Sequence, residues 1–188
     1  MSHTDLWFIS RASGAVSMVA MTVVFVLGMA TASRMAGQVR NRALVMGLHR
    51  SMALGMTIFL LLHIVTAIST GYVDITWLSV VIPFTAGYET LWVGLGTLAL
   101  DVLIAVIGTS LLRNRLSRKA WRAVHLLTYA LWPMAIAHGV GMSSADQPIL
   151  LWTTVACAAA GLAAIAMRLL RTSPYAQRRV LVNAQEWS

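Results

Sequence analysis

Five stretches of this chain, residues 6–32, 44–70, 88–112, 120–141 and 148–170, are apolar almost throughout, and each is at least 22 residues long. A run of about 20 such residues is long enough to cross the hydrocarbon core of a bilayer as an α-helix. In lipid a helix also satisfies its backbone N–H and C=O groups within its own segment. The sequence therefore predicts an all-α integral membrane protein, with residues 1–170 forming a five-span helical bundle. Only 11% of the residues are charged, against about a quarter in soluble domains, so a water-soluble core is excluded. Residues 71–87 carry an apolar stretch too short to span and broken by Pro83, and read as a short interfacial lid.

Charge orients the bundle. If the Arg-rich connections face the cytoplasm, thirteen of the fourteen Lys and Arg residues lie on that side and only Arg11 lies opposite. Asp5, Asp74, Glu89 and Asp146 then all fall outside. The expected topology puts the N-terminus outside and the C-terminus in the cytoplasm, with residues 171–188 as a cytoplasmic tail. The net charge of +8 is thereby a topology signal, spread over loops without aromatic interleaving, and no nucleic-acid partner is expected. The opening MSHTDLWF has no basic segment, so no cleaved signal peptide is expected. The single cysteine, Cys157, forms no internal disulfide and cannot build a thiolate metal cage.

Four of the five histidines fall inside spans, in two pairs: His49 and His63, fourteen residues apart, and His125 and His138, thirteen apart. His3 is terminal and reads as unconstrained. In a five-span order the second and fourth spans run in the same direction. His49 and His125 then share the cytoplasmic depth, and His63 and His138 the outer depth, the layers being roughly 20 Å apart by helix rise. Two imidazoles facing each other on neighbouring helices are what a bis-His haem iron requires. The pairs read as His49 with His125 at an inner haem iron and His63 with His138 at an outer one. Zinc or copper is the rival, and with it a non-redox membrane subunit or a metal-binding or transport protein. No carboxylate or thiolate joins either pair, and two ligands hold a bare ion weakly. Azimuth favours one pair of positions over the other. Fourteen residues return His63 to within about 40° of His49, whereas thirteen leave His138 about 140° from His125 on a straight helix. Trp132-Pro133 lies midway, and a kink at the proline is expected to re-aim His138; without it the outer pair is the weaker one.

The two histidine pairs and the run TSLLRNRLSRKAWRAVHLLTYALWPMAIAHG, residues 109–139, resemble the ferric reductase-like transmembrane domain of ferric reductases, NADPH oxidases and their bacterial relatives. The likeness extends from Trp7 to Asp146 and is strongest to the short bacterial membrane-only members. It implies two b-type haems held by His49, His63, His125 and His138, transmembrane electron transfer, and a multi-pass place in a bacterial plasma membrane. Larger members have six spans where five are counted here. No flavin or nicotinamide motif stands in the chain, so flavin is expected only on a partner, and a flavoprotein or other redox partner is expected beside membrane lipid. A variant of this reading makes the chain an enzyme proper, a ferric or quinone reductase with a substrate pocket at the outer face, where Tyr72, Trp77, Phe84 and Tyr88 would receive the acceptor.

Further residues carry two readings each. Arg11, at the depth of the outer pair, either meets a haem propionate or snorkels to the interface. Arg50, beside His49, is its inner counterpart or a cytoplasmic anchor. Trp132 fills the gap between the haem layers or packs in the core, as does Met56. Asp101, near mid-membrane, is protonated, bonded to a neighbouring helix or paired with Arg11, with a proton-coupled role as the functional reading.

Overall fold

The computed structural model describes residues 2–32, 39–71 and 73–170. The expected tail, the loop residue Arg34 and the lid residue Tyr72 lie outside the described residues. Among the described residues seven α-helices follow in order: α1 (His3–Ala32), α2 (Val39–Ser69), α3 (Trp77–Val81), α4 (Thr90–Leu111), α5 (Arg118–Leu126), α6 (Thr128–Gly141) and α7 (Pro148–Leu170). With α5 and α6 taken as one crossing, five segments are long and apolar enough to span. The protein is an all-α, multi-pass membrane bundle.

Local chemistry places the helix ends. Ser117 caps α5, its hydroxyl oxygen accepting from the Ala120 N–H at 3.1 Å. Pro148 opens α7, where its missing N–H costs nothing. Hydroxyls within the spans turn back on their own helices: Thr22 donates to the Met18 carbonyl at 3.0 Å, and Thr57 to the Ala53 carbonyl at 2.8 Å. These two hydroxyls therefore need no partner outside their own helices.

Helix α1 is the central post. It packs along α2 on one side and against α7 and α6 on the other, while α4 packs on α6 and α5. Trp132 of α6 fills the core beside α1, stacked on Phe25 with ring centres 4.9 Å apart and planes 3° from parallel. Its indole N–H donates to the Thr22 hydroxyl at 3.2 Å, and Gly161 of α7 leaves the room its ring occupies. Trp132 is thus a core residue and does not line the cavity described below. Replacing it with alanine is expected to cost about 3–5 kcal/mol, seen as a lowered thermal unfolding midpoint in detergent.

The fourth crossing is interrupted at Leu127, six residues before Pro133 and not at the proline itself. There the Leu127 N–H bonds to Val124 at 3.0 Å and the Ala130 N–H to Leu127 at 2.9 Å, both i→i+3 links. Residues wound this way turn about 120° instead of 100°. The tightening rotates His138 towards the face of His125, the direction that the thirteen-residue spacing requires.

Residues 73–87 fold back on α4 and contain α3. The Thr97 hydroxyl donates to the Ser79 carbonyl at 2.6 Å, and the Gly87 N–H to the Asp74 carbonyl at 3.1 Å. His3 is not free: its Nδ1 bonds the Thr70 carbonyl, tying the start of α1 to the end of α2.

Candidate functional site

Helices α2 and α6 bring the His63 and His138 rings opposite one another in a T-shaped arrangement, with ring centres 6.3 Å apart and planes at 76°. Two imidazole–metal bonds of about 2.0–2.1 Å each, added to the two ring radii, account for a separation of this size. Each ring is fixed from behind. His63 Nδ1 lies 2.8 Å from the Ser10 carbonyl of α1, and His138 Nδ1 lies 2.8 Å from the Trp92 carbonyl of α4. A carbonyl only accepts, so both Nδ1 atoms carry the proton, and Nε2 is left as the lone-pair nitrogen of each ring.

Those carbonyls belong to helices and already accept from the N–H four residues on, so the imidazole arrives as a second donor. The side chain at that fourth residue stands in the way, because Cβ atoms lean towards the helix N-terminus and cover the preceding turn. Glycine removes the obstacle. Ser10 is followed four residues later by Gly14, and Trp92 by Gly96. A Cβ on Gly14 would lie 2.8 Å from His63 Nδ1, and one on Gly96 would lie 2.7 Å from His138 Nδ1.

The inner pair is half built in the same manner. His49 Nδ1 donates to the Val24 carbonyl at 3.0 Å, and Gly28, four residues on, would bring a Cβ within 3.4 Å of the ring. The His125 ring instead stacks on Trp121 of its own helix at 4.9 Å. Its Nδ1 is buried without a hydrogen-bond partner. The thirteen-residue spacing therefore does not keep the outer pair apart. The outer pair is the closed one, and the inner pair is open at His125.

A cavity of about 210 Å³ lies beside the outer pair, lined by both imidazoles, by Gly14 and Gly96, and by lid residues Val73, Ile75 and Val80. Arg11 reaches its edge and is tied down. Its Nε donates to Gln147 Oε1 at 2.7 Å, and one terminal nitrogen donates to the Ser144 hydroxyl at 3.1 Å and the Met142 carbonyl at 3.3 Å. Its guanidinium also stands over the Trp7 ring at 5.1 Å. The arginine pins the connection between α6 and α7 to α1, a role the sequence did not suggest, and its hydrogen bonds do not go to Asp101. Arg50 is exposed on α2 beside His49, and Asp101 is half-buried on α4.

The donor set at each layer is two imidazoles. Among the described residues no group of three or more His, Cys, Asp or Glu side chains is placed to hold a bare ion. Two axial nitrogens suit a metal whose other donors come from a flat ring. Gly14, Gly28 and Gly96 as imidazole seats escaped the sequence reading. The signal was present: Gly14 and Gly28 are fourteen residues apart, matching His49 and His63. The sequence matches the family model described as "Ferric reductase like transmembrane component" over residues 13–136. Comparison with curated proteins and with solved structures gives no match.

Proposed function

The chain belongs to the ferric reductase-like transmembrane family, and from that premise we propose that it is a di-haem b-type cytochrome carrying electrons across a bacterial plasma membrane. Domains of this family generally bind haem and work with redox partners. The observation that carries the reading is the facing of His63 and His138 at 6.3 Å between ring centres, each with Nδ1 occupied by a backbone carbonyl. His63 and His138 would hold the outer haem, and His49 and His125 the inner one. When bound, the haems supply one-electron redox chemistry.

The chain's own residues contribute orientation, basicity and insulation. A carbonyl accepting from Nδ1–H fixes the ring and makes its Nε2 a stronger ligand. Met18, Met21, Leu60, Leu100 and Leu103 wall the outer layer and keep water from it. Fourteen residues of α2 set the two layers about 21 Å apart in depth. The distribution of Lys and Arg supports a cytoplasmic C-terminus. Exposed Arg113, Arg115, Arg118, Lys119 and Arg122 then form the inner surface, suited to an acidic flavoprotein or similar donor. The donor and acceptor come from partners or small molecules, and the chain is the membrane electron-transfer component of an oxidoreductase.

The test is colour and stoichiometry. Protein purified from haem-replete cells is expected to show a Soret band, a sharp reduced α-band and two haems b per chain by pyridine haemochromogen assay. A colourless chain that binds stoichiometric zinc or copper instead would overturn the reading.

A further inference from the structure

Three histidines obey one rule in this fold: Nδ1 donates to a carbonyl on a neighbouring helix, and the residue four positions on is glycine. His63 uses Ser10 and Gly14, His49 uses Val24 and Gly28, and His138 uses Trp92 and Gly96. Of the four histidines within the spans, His125 departs from it, its Nδ1 buried and unpartnered. One glycine of α4 is equally unexplained. Gly108 lies in the last turn of α4, and a Cβ there would meet nothing within 4 Å. Glycine at such a position weakens a helix without any local steric reason for it.

The two stand at similar depths. From Gly96 to Gly108 is twelve residues, and from His138 back to His125 is thirteen. At 1.5 Å per residue these steps are about 18 Å and about 19.5 Å, along helices that run in opposite directions and pack on each other. Four residues before Gly108 stands Ile104. We propose that Gly108 is the fourth imidazole seat, over which His125 swings from Trp121 to donate its Nδ1–H to the Ile104 carbonyl as the inner haem is held. Gly108 and the Ile104 backbone are thus positioning elements that act through His125. The inference rests on the di-haem reading above and specifies how the inner ligand is oriented.

Gly108→Ala decides it, because the geometry and the proposal give opposite forecasts. Read by its neighbours alone, the added methyl meets open space and should do nothing. By the proposal it blocks the seat, and haem per chain falls from two to one, with loss of the inner low-spin signal in electron paramagnetic resonance and retention of the outer one. Gly47→Ala and Gly55→Ala, whose methyls also meet nothing within 4 Å, should keep both haems. Gly108→Ala with both haems, both signals and unchanged midpoint potentials overturns the proposal. If that variant loses both haems, the wild type decides. With ¹³C-carbonyl isoleucine, the reduced-minus-oxidised infrared spectrum should contain a carbonyl band that disappears in Ile104→Val, and absence of such a band overturns the proposal. Wild-type protein with fewer than two haems would instead overturn the reading on which it rests.

Discussion

Replacing His138 with alanine is expected to cut haem content from two per chain to one and to abolish one of two low-spin signals. His63→Ala should remove the same signal, since the two rings face one another with centres 6.3 Å apart and a bis-imidazole iron needs both. His49→Ala and His125→Ala should each remove the other signal. The pairwise identity of the losses is the discriminating result, because four independent sites would give four distinct phenotypes. The bundle should survive these changes. The Ser10 and Trp92 carbonyls that lose an imidazole donor still accept from the helical N–H four residues on, so no buried acceptor is orphaned. The double variant His63→Ala/His138→Ala should then lose no more haem than either single one. Measurement is by pyridine haemochromogen and potentiometric titration in detergent. Retention of both haems in either outer variant would break the assigned pairs.

The parts of this architecture written in long periodic runs were legible without coordinates. Five apolar stretches give five crossings, and the four histidines stand out because few polar groups share their spans. The lid was legible as a segment too short to cross and interrupted by Pro83. What was not legible depends on contacts between distant residues. Proline chemistry pointed to Pro133 as the site of the irregularity, yet the turn tightens at Leu127, where amphipathic α5 gives way to apolar α6. Arg11 could be placed at the outer depth, but its attachment to Gln147 and Ser144 joins residues more than 130 positions apart. The glycine seats lay between these cases. Glycine in a membrane helix ordinarily signals close helix packing, and only the equality of the glycine and histidine spacings hinted at a more specific use.

That use makes a graded prediction for the seats already filled. Gly96→Ala would place a methyl 2.7 Å from His138 Nδ1, and Gly14→Ala one 2.8 Å from His63 Nδ1. Both are closer than carbon and nitrogen can approach, so the ring must leave its carbonyl. Gly28→Ala would place its methyl 3.4 Å from His49 Cε1, an ordinary contact that the ring can tolerate. Loss of a hydrogen bond orienting a metal-bound imidazole typically weakens metal affinity 10–100-fold, or about 1.4–2.8 kcal/mol. Gly96→Ala and Gly14→Ala should therefore each weaken the outer haem by that factor, measured by transfer of haem to apomyoglobin. Gly28→Ala should affect the inner haem less, and Gly55→Ala, whose methyl meets nothing, neither haem. Histidine ligands are retained in every one of these variants, so the ordering separates seating from ligation. Equal haem retention across the four would mean that the glycines serve helix packing alone, and that carbonyl contact at Nδ1 does not govern how firmly the rings hold iron.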